Sequence, residues 1–414
     1  MFTSFSTALS ALGAHSTAVD VVGNNLANLN TPGFKASVVS FYDLVTQSLG
    51  AGLGETQVGF GVARPITLRQ FSQGAIQSSA GPLDAAIQGD GFLVLRSKAN
   101  ATIYGRGGNL QVDRNGVLLT ATGERVQGWV SQNGALNTNL PISDVAVPVG
   151  SLRPATPTSE ISFDLNLNAR ATAGPPADTF STSMEVYDSL GVSHVVSIEF
   201  TKTANPGEWS YSFSVPDADV ATPVAPVTGV INFDTSGALT NPPAAGPFPT
   251  LNITGLNSGA APMDITWNMF NGPTPRLTQF AQPSAISALG QDGSAAAQLV
   301  RVGLGDGGVV LAQYSNGEQV VVGQLAMASI RNPESLISVG NNSYQLSARS
   351  AVPAVGTPGT GGRGSIIGGA VENSTVDIAK EFTNLIVLQR GYQANTRVVT
   401  TVDEISQETI NLKR

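Results

Sequence analysis

The 414-residue sequence contains no cysteine. That excludes disulfides, thiol nucleophiles and thiolate metal ligands. Charge is also scarce, at 12% of residues against about 25% in an average soluble domain. A chain so poor in charge stays soluble by hiding surface in an assembly or by solvating it with Ser, Thr and Asn. The 21 Lys and Arg against 29 Asp and Glu leave a net charge of −8, and no basic cluster occurs anywhere. Binding to nucleic acid needs basic side chains against phosphates, and an anionic membrane surface needs a basic patch, so neither is an expected partner. No apolar run reaches the roughly 18 residues a membrane span requires, so no membrane insertion is expected. The N-terminal stretch does not read as a secretory signal. No Lys or Arg precedes Lys35, and Ser and Thr interrupt its apolar residues. The expectation for an extracellular role is export without a cleaved signal.

Chemistry is equally thin. There are two histidines, His15 and His194, and nothing in the sequence brings them together. Without cysteine, a zinc site has no basis, so no metal or other cofactor is expected. A Ser-His-Asp triad is not excluded by counting, because its members meet only in space. No residue is marked as a nucleophile, and no enzymatic activity is expected. Gly303-Leu304-Gly305-Asp306-Gly307-Gly308 matches a dinucleotide-binding pattern. A strand-like run, Val309-Val310-Leu311, follows it where the pattern needs a helix, so it reads as a turn. Gly89-Asp90-Gly91 and Asp292-Gly293 lack the further carboxylates of a calcium loop.

What is present lies first at the two ends. Apolar side chains recur at Phe2, Phe5, Leu9, Leu12, Val19 and Leu26, and again at Ile378, Phe382, Leu385, Tyr392 and Val399. A 3-4 alternation puts them on one stripe of a helix, the pattern of a coiled coil. The first helix has Thr3 or Ser4 as candidate N-caps. It should stop near Asn28 to Asn30, because Pro32 disfavours helical backbone at Thr31 and Gly33 frees the turn. Its polar face of Ser4, Ser6, Ser10, Ser16, Thr17, Asn24 and Asn25 carries no full charge, which suits packing against protein or a lumen. The last helix is expected from Ser374 to Leu412, opening on a capping-box-like Ser374-Thr375-Val376-Asp377. It would be roughly 55–60 Å long and could not bury its stripe alone.

The middle is Gly-rich and strand-like. Residues 49–61 read as a Gly-rich connection. Asn115-Gly116 and Asn316-Gly317 each sit between strand-like runs, a hairpin signature. Residues 351–370 read as a flexible linker by composition. The expected fold is therefore multidomain α and β. Residues 1–33 and 371–414 form a terminal helical coiled-coil domain, with 34–72 and 351–370 as connecting segments. Residues 73–150 and 284–350 form an inner β-rich domain, and 151–283 an outer all-β domain inserted into it.

Three segments resemble one family. Asn24-Asn25-Leu26-Ala27-Asn28-Leu29-Asn30-Thr31-Pro32-Gly33-Phe34-Lys35 is similar to the N-terminal signature of the bacterial flagellar rod and hook proteins. Residues 83–92, LDAAIQGDGF, resemble their internal motif. Residues 381–395, which include Gln389, Arg390, Tyr392, Gln393 and Asn395, resemble their C-terminal motif. Rod members are much shorter. The long middle, with residues 179–191 and Gly340-Asn341-Asn342-Ser343-Tyr344, places the resemblance on the hook side of the family. One residue departs from it: Gly391 stands where the motif usually carries a larger residue. That change permits a close helix contact or a bend, or is neutral.

The resemblance implies a structural protein of the extracellular flagellum. Subunits would polymerise into a curved, flexible tube around an export channel and pass motor torque to the filament. It implies as partners other copies of the chain, the rod, the hook cap, the hook-filament junction proteins and the export apparatus. The alternatives are a distal rod or hook-associated component of the same family, and a secreted β-domain adhesin or enzyme with helical oligomerisation ends. Both termini are expected to be largely disordered before assembly.

Overall fold

The computed structural model describes residues 2–44, 46–49, 56–131, 135–150, 152–221 and 223–411. The chain divides into two compact units. One comprises Met1–Val149, Arg301–Gln313 and Gln319–Arg414, and the other Gly150–Val300 with Tyr314–Glu318.

The second unit is built from two sheets around one core. Strands Thr179–Tyr187, Ser193–Lys202, Glu208–Ser214, Val227–Phe233 and Leu239–Asn241 form an antiparallel meander. Alternate side chains are buried along each long strand, because successive side chains point to opposite faces. The other sheet centres on Glu160–Asn168. That strand runs parallel to Met263–Trp267 and Leu277–Phe280 and antiparallel to Ala285–Gln291. The two inner faces meet over Phe163, Phe200, Trp209, Phe213 and Trp267. Trp267 takes Phe163, Phe200 and Tyr211 edge-on at 5.3–6.1 Å between ring centres.

The sequence placed the end of this stretch at Pro283. The structure carries it on to Val300, because Ala285–Gln291 completes the sheet of Glu160–Asn168. A seven-residue strand with no charge and a Gly near its end carries no mark of which sheet it joins.

In the first unit a large sheet is built around the buried strand Phe92–Arg96. It pairs with Thr102–Gly105, Arg125–Val130 and Met327–Ser329. Both Asn-Gly hairpins occur. Leu110–Val112 pairs with Leu118–Thr120, and Val309–Tyr314 with Gln319–Leu325. Gly116 and Gly317 both sit at φ +84°, the left-handed backbone that such turns need. The segment 303–308 ends in a short 3-10 turn with Gly307 and Gly308 at positive φ. No long helix follows it, so it offers no phosphate-binding helix N-terminus.

Residues 351–370 are not a linker. Ala354–Gly356, Ser365–Gly368 and Ala370–Glu372 are strands paired with Met327–Ser329, Ala85–Gln88 and Ile76–Ser78. Their glycines serve close approach as well as turning. A Cβ at Gly364 would lie 2.2 Å from the Gln88 carbonyl, and one at Gly368 would lie 1.9 Å from that of Leu304. Composition cannot tell a glycine that loosens a chain from one that lets two backbones touch. In the 49–61 connection, Thr46–Leu49 pairs with Thr56–Gly59, and residues 50–55 lie outside the described residues.

The terminal helices, also in the first unit, are α1 (Phe2–Ala27) and α2 (Ile378–Asn411). Thr3 and Ser4 fall inside α1 and do not precede it. α2 starts later than Ser374. Asp377 is its cap, with Oδ1 accepting the Lys380 N–H at 3.1 Å. Ser374 Oγ accepts only the nearby Val376 N–H, at 3.3 Å, and Thr375 is used elsewhere, as described below. At 34 residues, α2 is about 51 Å long.

Candidate assembly site at the paired termini

α1 ends and α2 begins at one junction, so the two helices run antiparallel along each other. The residues α1 buries are small: Ala8, Ala14, Ala18, with Val22 and Asn25 further on. On α2 the most covered stripe beyond the first turn is Leu385, Leu388, Gly391, Asn395, Val399 and Val402, all half-buried. Small side chains let two helix axes approach closely, as at other tight helix crossings.

The apolar stripe expected from the sequence divides in two. Leu12, Val19, Leu26, Leu385 and Val399 are half-buried. Phe5 (38%), Leu9 (57%), Ile378 (47%), Phe382 (52%) and Tyr392 (43%) are exposed. Ile386 and Val387 are exposed beside them. The 3-4 period locates large apolar residues, but α1 packs through alanines, which score weakly in that period. The contact within the chain and the largest apolar stripe are therefore different faces.

Of the C-terminal motif residues, Gln389, Arg390, Tyr392 and Gln393 are exposed. Gln389, Tyr392 and Gln393 line a notch between the helices with Ser16 and Val19. Asn395 Nδ2 donates to the Gly391 carbonyl at 2.9 Å.

The N-terminal motif forms the junction itself. Asn28 Nδ2 donates to the Asn24 carbonyl at 2.9 Å, and Thr31 Oγ1 donates to Asn28 Oδ1 at 3.1 Å, closing the turn after α1. Asn25, almost fully buried, exchanges two bonds with Ser37. Its Nδ2 donates to the Ser37 carbonyl at 2.8 Å, and its Oδ1 accepts the Ser37 N–H at 3.0 Å. An ionised Asp at position 25 would have no donor for the first of these bonds. The Pro32 carbonyl accepts from Asn342 Nδ2 at 2.9 Å. Gly33 has φ +69°, and a Cβ there would stand 2.8 Å from the Arg106 carbonyl. The Gly33 N–H donates to the Glu372 carbonyl at 2.8 Å, and Thr375 Oγ1 accepts the Ala36 N–H at 2.9 Å. The segment leaving α1 is thus bonded to the segment entering α2.

A buried charge cluster lies beneath. Glu372 Oε1 is 2.6 Å from Lys35 Nζ and 3.4 Å from Arg106 Nη1, and it accepts the Gly74 N–H at 2.8 Å. Lys35 Nζ also donates to the Ser72 carbonyl at 2.6 Å. Arg106 Nε donates to the Gly91 carbonyl at 2.9 Å, and Nη2 donates to that of Gly89. Burial pulls the Lys35 ammonium below its usual pKa. Arg106 adds to that, and the bond to Glu372 works against it. Arg106 lies over the Phe92 ring, whose neighbours Phe71 and Tyr344 meet it edge-on at 5.4 and 5.8 Å. The internal motif and the Asn341-Asn342-Ser343-Tyr344 turn thus reach the same place.

Sequence reasoning did not single out Glu372 or Arg106. The available signal was isolation: in so uncharged a chain, a lone charge within a Gly- and Val-rich run must be solvated or paired. In the second unit, Ser258 Oγ donates to Asp188 at 2.6 Å and His194 Nε2 lies 3.1 Å from the same carboxylate. Both bond the Asp, so no base faces the serine and the arrangement is not that of a triad. Among the described residues, no cluster of three His, Asp or Glu is placed to hold a metal.

Helices joined at one β-rich junction by these motifs define a class, the flagellar rod and hook proteins, and four family models match accordingly. They are the flagella basal body rod protein over residues 5–35 and the flagellar hook protein FlgE/F/G D1 domain over 86–162. The flagellar basal body protein FlaE D2 domain matches 164–294, and the flagellar basal body rod FlgEFG protein C-terminal model matches 367–412. Over its whole length the chain is 34% identical to the flagellar hook protein FlgE of Treponema pallidum, all of which it covers. It is 32% identical to that of Escherichia coli, with 99% of this chain and 100% of that one covered. The chain belongs to the flagellar hook protein family. The Helicobacter pylori hook protein FlgE2 has a similar fold, with a TM-score of 0.53 at 14% identity over 70% of this chain and 99% of that one.

Proposed function

We propose that this chain is the structural subunit of the flagellar hook and that its paired termini are the assembly device. The observation that carries the second part is the apolar face on the helix pair. Phe5, Leu9, Ile378, Phe382, Ile386 and Val387 remain open to solvent after α1 and α2 have packed. On α2, Ile378, Phe382 and Ile386 follow one another at four-residue spacing as an exposed apolar stripe, and such a stripe marks an interaction surface. Neighbouring copies of the same helices supply the apolar partner. In this reading the polymer is a curved, flexible tube that surrounds the export channel and carries torque. The rod, the hook cap, the junction proteins and the export apparatus are its further partners. The second unit is inserted in the chain of the first, chiefly as Gly150–Val300.

The test is Phe382→Asp expressed in place of the native chain. Hooks are expected to disappear from electron micrographs, while the purified subunit unfolds within about 0.5 kcal/mol of the unsubstituted chain, as for a surface change. Normal hooks from Phe382→Asp cells would overturn the assembly role of this face. The terminal rod model leaves a rod-like alternative with an enlarged insertion. Straight, rigid polymers from the purified chain would favour it.

A further inference from the structure

α1 and α2 contain three glycines, and they differ in surroundings. A Cβ on Gly13 or Gly23 would meet nothing within 4 Å. A Cβ on Gly391 would stand 2.7 Å from His15 Cε1, 3.0 Å from Nε2 and 3.2 Å from Nδ1. The whole edge of the imidazole therefore occupies the space a side chain at 391 would take. The ring has little room to retreat, since Phe41 lies on it at 5.6 Å between ring centres. Its Nδ1 is buried without a hydrogen-bond partner, so packing and not hydrogen bonding holds it there.

We infer that His15 and Gly391 are a matched size pair that sets the spacing and axial register of α1 against α2. The glycine is a positioning residue. It weakens α2 locally, and in exchange it gives the His15 imidazole of α1 a place to seat. Sliding either helix by one turn would drive the imidazole against Asn395 or Leu388 in place of the glycine. The pair stands on the geometry of the helices, and hook assembly serves only as its readout.

The sign of one substitution tests this. Alanine in place of a mid-helix glycine strengthens an unobstructed helix by about fivefold in its equilibrium constant. In hooks isolated from cells, Gly391→Ala is expected to lower the temperature of depolymerisation, or to abolish hooks, while His15 is present. In the His15→Ala background the same Gly391→Ala change is expected to raise that temperature. Equal shifts in both backgrounds, or a rise with His15 present, would overturn the pair, as would loss of hooks in the double variant. If the unsubstituted chain forms no hooks, the hook reading fails by itself. Amide exchange of α2 in the purified chain then reads the same sign reversal.

Discussion

The second unit and the helix pair bury their apolar residues in opposite ways. In the second unit the core encloses large side chains, Trp209, Trp267, Phe163, Phe200 and Phe213. In the helix pair the smallest are enclosed and the largest are left outside. A sheet sandwich satisfies its own hydrophobic faces within one chain, because each long strand has an inner and an outer side. A helix with apolar residues on more than one stripe can give only one of them to a single partner. The first kind of region covers its apolar faces by itself, and the second leaves apolar side chains open to solvent.

The comparison breaks most visibly under protease. Dilute monomer exposed to a broad protease is expected to lose most of α1 and α2 and to keep the β-rich remainder. Ordering a helix costs about 1–2 kcal/mol per residue, and part of the burial that offsets this is missing before assembly. Equal survival of helices and sheets would erase the contrast. Next in size is Trp267→Ala. It removes a ring that touches three others and is expected to destabilise the second unit by about 3–5 kcal/mol, measured by denaturant unfolding. Glu372→Gln leaves Lys35 and Arg106 facing each other without a counter-charge, for a loss of about 3 kcal/mol in the unit that holds the helices. Calorimetry checks it. An unchanged melting temperature would mean that the buried cluster does not tie the helices to their base.

Much of this was legible in the sequence. The Asn-Gly turns gave two hairpins, because left-handed backbone at Gly116 and Gly317 is a local requirement. The Pro32-Gly33 stop gave the end of α1, again locally. What was not legible depends on contacts across hundreds of residues. Ser365–Gly368 looked like part of a linker because its partner, Ala85–Gln88, lies far away in the chain. Ser374 looked like a helix cap, but the neighbouring backbone at Ala36 recruits this segment through Thr375, and the cap falls to Asp377. The half of the stripe that faces α1 could not be told from the half that faces out, because both obey one period.

The sequence by itself determined that this protein has helical ends, a β-rich middle, no thiol chemistry and no basic surface. Those follow from composition and from interactions within a few residues. Only the tertiary structure decided that the motifs meet at a buried Lys35–Glu372–Arg106 cluster, and that Gly391 faces His15. A glycine's purpose lies in what occupies the space beside it, and the sequence does not say what that is.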